Sequence, residues 1–191
     1  MPLLTGKEIA RRVAAGEIKI EPFDPSNVNP NSYDLRLDSV LRVYDTGREL
    51  DVRSENPTES LPIPPDGLVL RPGVLYLGST VELVGCDTLA AVVEGKSSLG
   101  RLGLTAHVTA GFIDCGFWGN ITLEMSVVHP LRVYSGMRVC QICFTTVEGE
   151  VTLYAGKYQG QQGPQPSRSW KDFAERDQPG ATGRPDRRDD P

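Results

Sequence analysis

Apolar and polar residues alternate with a period of two along most of this chain, in short runs divided by Pro, Gly and Asp turns. The pattern predicts strands at Tyr33 to Tyr44, Gly67 to Leu70, Val74 to Leu83, Leu89 to Glu94, Thr105 to Thr109, Asn120 to Val128, Leu131 to Tyr134, Met137 to Thr146 and Val151 to Leu153. One helix stands apart near the start. Thr5 and Glu8 have the spacing of a capping box, Ile9 and Val13 share a face, and Gly16 supplies a stop, which predicts a helix over Gly6 to Ala15 on the outside of a sheet. Many short strands with regular punctuation indicate an all-β fold, a distorted barrel or jelly roll.

A length of 191 residues suits one domain with a core of its own. The barrel is assigned to residues 1–155. Residues 156–176 follow as a lid or arm, GKYQGQQGPQPSRSWKDF, too rich in Gly, Gln and Pro to build a core, yet ending in Trp170 and Phe173. Those aromatics can dock as an active-site cover or as an arm on a neighbouring subunit. Residues 177–191 lack any large apolar anchor and are expected to be a disordered tail.

The net charge of −5 argues against a protein that coats nucleic acid, while a local cationic pocket for a small anion remains allowed. No apolar run approaches the ~18 residues of a membrane span and no signal-peptide pattern opens the chain, so no membrane partner and a cytoplasmic location are expected. CQIC, holding Cys140 and Cys143, invites a metal or redox reading. On a strand, however, residues three apart face opposite ways and cannot share a zinc ion; the cysteines are expected to be small buried hydrophobes.

Three constellations carry chemistry. Gly95, Lys96, Ser97, Ser98, Leu99, Gly100 and Arg101 form a Gly/Ser turn whose amides, hydroxyls and two cations suit phosphate oxygens, although the spacing is not that of a Walker loop; an ordinary hairpin turn is the alternative. In AGFIDCGFWG, Asp114 and Phe117 can flank one ligand, the carboxylate accepting a sugar hydroxyl and the ring packing on the sugar, unless Asp114 only organises its turn. In NITLEMSV, Glu124 shares a polar strand face with Thr122 and Ser126. On a concave, partly buried face such a carboxyl is suited to proton shuttling, whereas a solvated outer face is the alternative.

Taken together, EGKSSLGRLGL, TAGFIDCGF and ITLE, with SYDLRL at Ser32 to Leu37 and the later GKYQGQQGPQPSRS, resemble the dCTP deaminase branch of the trimeric dUTPase superfamily. The resemblance implies a dUTPase-like barrel, a homotrimer with shared active sites, and deamination of dCTP without zinc. The HxE and PCxxC pattern of zinc deaminases is missing. By motif position Glu124 is the implied proton carrier, with Ser97 and Arg101 placing the water and stabilising charge. Lys96, Ser98, Leu99 and Gly100 fall in the phosphate turn, with Mg²⁺ bridging the triphosphate. Asp114, Phe117, Thr122 and Leu123 fall around sugar and base, and Gln141, Tyr154, Lys157 and Gln161 at phosphates or lid. Gly111 and Phe112 match the members that also cleave the triphosphate to dUMP and pyrophosphate. A monofunctional deaminase giving dUTP and a nucleotide-binding regulator without turnover stay open. Departures from the pattern are Cys115 for a usual Pro, Trp118 for a small polar residue, and a shorter segment after Glu124.

Overall fold

The structure is a computed structural model that describes residues 2–107 and 110–174. Helix α1 (Gly6–Ala14) begins where Thr5 accepts a hydrogen bond from the Glu8 N–H at 3.3 Å, and it buries Ile9 against the body. Arg11 and Arg12 bracket Glu8 from the next turn and hold its carboxyl down at about 2. After Gly16, whose φ of 75° suits a residue without a side chain, the chain enters β1 (Ile18–Glu21).

Twelve strands, three α-helices and one 3-10 helical turn (Pro25–Asn27) make up the described fold. One sheet has the order β4 (Thr58–Pro62), β3 (Val40–Tyr44), β6 (Tyr76–Cys86), β10 (Trp118–Val127) and β8 (Leu104–Thr105), with β1 also pairing with β6. A second runs β2 (Tyr33–Arg36), β12 (Arg138–Thr146), β7 (Leu89–Gly95) and β9 (Phe112–Ile113). A third pairs β5 (Leu68–Leu70) with β11 (Leu131–Val133), and every named pairing is antiparallel. One core joins them, including Ile18, Leu35, Leu41, Leu70, Leu123, Met125, Ile142 and Phe144. This is the distorted all-β barrel that the alternation predicts. No helix among the described residues is long and apolar enough to cross a membrane.

Several boundaries differ from expectation for physical reasons. The run from Tyr33 to Tyr44 is two strands, because the Leu37 N–H bonds to the Met137 carbonyl while the Asp38 N–H bonds to the Ser79 carbonyl, so the chain changes sheets there. Strands β1 and β4 escape the pattern: one is only four residues long, and the other, TESLP, is a polar edge strand. Residues Val151 to Leu153 are not a strand. The Gly/Ser turn contains a helical turn, α2 (Ser97–Gly100), rather than a hairpin. Residues 108 and 109 of the predicted Thr105 to Thr109 strand, residues 175 and 176 of the arm, and the expected tail at 177–191 lie outside the described residues.

The β6–β10 register shifts between Asn120 and Thr122. Backbone groups left over at such an irregularity need side-chain partners. The Asn120 amide donates to the Thr80 and Glu82 carbonyls at 3.0 and 3.2 Å, and the Thr80 hydroxyl oxygen accepts from the Ile121 N–H at 2.9 Å. Glu82 is turned fully inward, where its carboxylate accepts from Arg36 Nε at 2.6 Å and from the Arg36 N–H at 2.9 Å. Arg36→Leu would leave that buried carboxylate without its cation. Denaturant unfolding should show a loss of about 3 kcal/mol, and an unchanged midpoint would contradict this account of the bulge.

Candidate active site

Burial alternates along β10 as the sequence predicts. Ile121, Leu123, Met125 and Val127 are buried, while Thr122, Glu124 and Ser126 are half-buried on the other face. That face is concave at Thr122 and Glu124, which line a cleft of about 480 Å³ with Asp114, Phe117, Tyr154 and Gln161. Glu124 keeps 32% of its side chain exposed, so it is sheltered yet reachable. Leu123 faces the opposite way into the core and is fully buried, so its side chain cannot touch a ligand as its motif position implies.

The turn before β10 is closed by the Asp114 carbonyl, which accepts the Phe117 N–H at 3.2 Å. Because backbone closes the turn, the Asp114 carboxylate is spared for the cleft it lines, and it makes no hydrogen bond among the described residues. The Phe117 ring is buried and meets Tyr154 edge-on, with centroids 5.9 Å apart. An apolar ring beside a free carboxylate suits a sugar with one hydroxyl to bind. Phe112 stands 61% exposed at the rim on β9, next to Gly111.

Residues 154–169 run alongside β10 in the same chain direction and cover this cleft on their own body. The Tyr154 N–H donates to the Cys115 carbonyl at 2.8 Å, Gln159 Oε1 accepts from the Trp118 N–H at 2.9 Å, and the Gly160 N–H donates to the Trp118 carbonyl at 2.8 Å. Next, Gln161 exchanges bonds with the Asn120 backbone, and the Gln165 N–H reaches Thr122 Oγ1 at 3.1 Å. Beyond them the Ser167 N–H reaches the Tyr44 hydroxyl at 2.7 Å, and Phe173 lies under the Arg53 guanidinium. Lys157 is held by Asp172 within the arm and does not line the cleft.

The Gly/Ser turn lies elsewhere. Lys96, Ser97, Ser98 and Gln141 line a separate polar hollow of about 400 Å³ with Asn29, Pro30, Asn31 and Ser32, and no residue is common to the two cavities. Lys96 donates to the buried Asp34 carboxylate at 2.5 Å, and Gln141 accepts from the Ser32 hydroxyl at 2.6 Å and donates to the Gly95 carbonyl at 3.0 Å. Leu99 packs on the core, whereas Gly100 and Arg101 are exposed at the end of α2. The donors of this hollow, with Asp34 already paired, suit phosphate oxygens better than a bare metal ion. Within one chain, therefore, the implied residues form two groups.

A profile of the dCTP deaminase-like family matches residues 3–147. The chain belongs to the dCTP deaminase-like family. A relative from Leptospira biflexa named "dCTP deaminase, dUMP-forming" is 54% identical over 90% of this chain and 98% of its own. One of the same name from Cytophaga hutchinsonii is 50% identical over 90% of this chain and 98% of its own. The crystal structure of 2'-deoxycytidine 5'-triphosphate deaminase from Agrobacterium tumefaciens superposes with a TM-score of 0.61 at 26% identity. It covers 76% of this chain, which spans about half of that protein (48%).

Two of the three departures from the family pattern have a clear place in the fold. Cys115 is buried, its thiol is pushed up by that burial, and its carbonyl anchors the arm at Tyr154. Trp118 does not line the cleft; its ring packs over Gly85 of β6, where a Cβ would come within 2.8 Å of it. Both CQIC cysteines sit on β12, Cys140 fully buried and Cys143 half-buried, and burial raises both thiols. Tyr44, Tyr158, Gln165 and Ser167 also line the cleft and were not singled out by sequence; for the last two the GPQPSRS stretch was the available signal.

Close approach of the arm depends on Gly119, where a Cβ would stand 2.7 Å from the Gln161 carbonyl oxygen. Gly119→Ala should displace the arm. Trypsin cleavage after Lys157 and Arg168 should then rise about tenfold, equivalent to ~1.4 kcal/mol in docking; an unchanged digestion rate would contradict the close seat.

Proposed function

We propose that this protein deaminates dCTP, supplied as its Mg²⁺ complex, and cleaves the triphosphate to give dUMP, ammonia and pyrophosphate. The observation that carries this reading is the half-buried Glu124 carboxyl inside a covered cleft beside Asp114 and Phe117. The names of relatives about half identical over nearly their whole length support the same reaction.

In the proposed sequence Glu124 takes a proton from water and the resulting hydroxide adds to C4 of cytosine. The same carboxyl passes the proton to N3, then takes the proton of the new C4 hydroxyl and delivers it to N4; collapse of the tetrahedral centre breaks the C4–N4 bond, ammonia departs and C4 becomes a carbonyl. Asp114 accepts the 3′-hydroxyl while Phe117 packs under the sugar and leaves little room for a 2′-hydroxyl. A second water then attacks the α-phosphorus, aided by Asp114, and the bridging oxygen leaves with pyrophosphate.

Ser97, Ser98 and Arg101, with Lys96, are proposed to hold phosphates and place the first water in a site completed by another copy, as a homotrimer provides. The separation of the two cavities supports this arrangement. Exposed Leu102 and Val128 beside α2, and exposed Phe112 and Leu75 at the cleft rim, supply apolar surface for the contact.

Purified protein given dCTP and Mg²⁺ should release ammonia, and Glu124→Gln should lower kcat about 10²- to 10⁴-fold while still binding dCTP. Ammonia release at the original rate in that variant would remove Glu124 from the chemistry. Phosphorus NMR should show pyrophosphate appearing with dUMP; dUTP as sole end product would reject the second step.

A further inference from the structure

The wall of the cleft also holds a histidine that the reaction above does not employ. His107 follows β8 and lines the cleft, its side chain only 6% exposed. Neither ring nitrogen has a hydrogen-bond partner among the described residues. An unpaired polar group in such a place costs about 1–3 kcal/mol, so a ring held there calls for a partner. The nearest carboxylate is the one that matters. Nδ1 stands 4.0 Å from Glu124 Oε2, too far for a direct bond and close enough that a carboxyl rotation of about 1 Å, or one bridging water, completes it.

The opposite edge of the ring explains why it lies there. A Cβ on Gly111 would come within 3.3 Å of His107 Cδ2, the carbon beside Nε2, and within 2.7 Å of the Val93 carbonyl oxygen. Gly111 is itself fixed to β7, its carbonyl accepting the Val93 N–H at 2.8 Å. A bare glycine therefore leaves the imidazole a slot between the edge of β7 and Glu124.

We infer that His107, seated against Gly111, is a positioning residue for Glu124, donating from Nδ1–H to Oε2 so that the other carboxyl oxygen faces the reacting water. The inference rests on the deaminase reading of the cleft. It adds to Gly111 the task of seating the ring. No net proton transfer to or from the imidazole is involved: the ring stays neutral, with its lone pair on Nε2 and its proton on Nδ1.

The chain has two histidines, His107 and the exposed His129, so ring-¹⁵N NMR of the intact protein resolves both and His129→Gln assigns them. His107 should show the Nδ1–H tautomer in the wild type and lose it in Glu124→Leu, which removes the acceptor. In steady-state assays His107→Phe should lower kcat for ammonia release about 100-fold with KM unchanged, and His107→Asn, whose amide can stand near Nδ1, should recover much of the loss. A merely space-filling ring would make Phe the better substitute, which reverses that order. Full kcat in His107→Phe beside an inactive Glu124→Gln, or an Nε2–H tautomer in the wild type unchanged in Glu124→Leu, would overturn the inference and leave the deaminase reading standing. Ammonia release retained in Glu124→Gln would instead overturn that reading itself. Should His107→Phe fail to fold, the tautomer measured in the wild type and in Glu124→Leu decides.

Discussion

Strand β10 has one usable register against β6, and the architecture of the cleft follows from it. Side chains alternate strictly across a strand, so a slip of one residue would drive Glu124 into the core and bring Leu123 and Met125 out into the cleft. The fully buried Leu123 and Met125 oppose that slip with the transfer energy of two large apolar side chains, roughly 1.5–3 kcal/mol each. The local irregularity at Asn120 does not loosen the register, because the Asn120 amide and Thr80 hydroxyl satisfy the backbone groups it leaves. The same irregularity turns Glu82 inward to Arg36, tying β6 to β2 of the neighbouring sheet.

The arm inherits its course from the same strand. It lies along β10 because Gly119 permits backbone approach and because Asn120, having spent its amide on β6, still offers Oδ1, which accepts the Gly163 N–H at 3.0 Å. One side chain thus secures the bulge beneath and the cover above. Such a cover shelters the Glu124 and Asp114 carboxylates from bulk solvent, which strengthens the electrostatic interactions they make.

Much of this was legible in the alternation of NITLEMSV and in the compact turn between Asp114 and Phe117, since both depend on local spacing alone. Leu123 shows the limit of carrying motif positions over: its neighbours Thr122 and Glu124 face the cleft, and the period of two sends it to the core. The Lys96–Asp34 pair joins residues far apart in sequence, and nothing local in SYDLRL says that its Asp is buried against a cation. Tyr44 enters the site from the end of β3 only because the arm returns to it. A lone histidine between a short strand and a turn carries no spacing signal; the burial of His107 is a tertiary fact.

The central claim is that Glu124 and the Ser97 turn, which line different cavities of one chain, act together across copies. Subunit mixing tests it most directly. Glu124→Gln and Ser97→Ala proteins, each nearly inactive alone, are unfolded together, refolded and assayed for ammonia release from dCTP. Recovery of a substantial fraction of wild-type activity in the mixture, absent from either variant refolded alone, is the predicted result. A mixture no more active than its parts would contradict a site assembled from two copies.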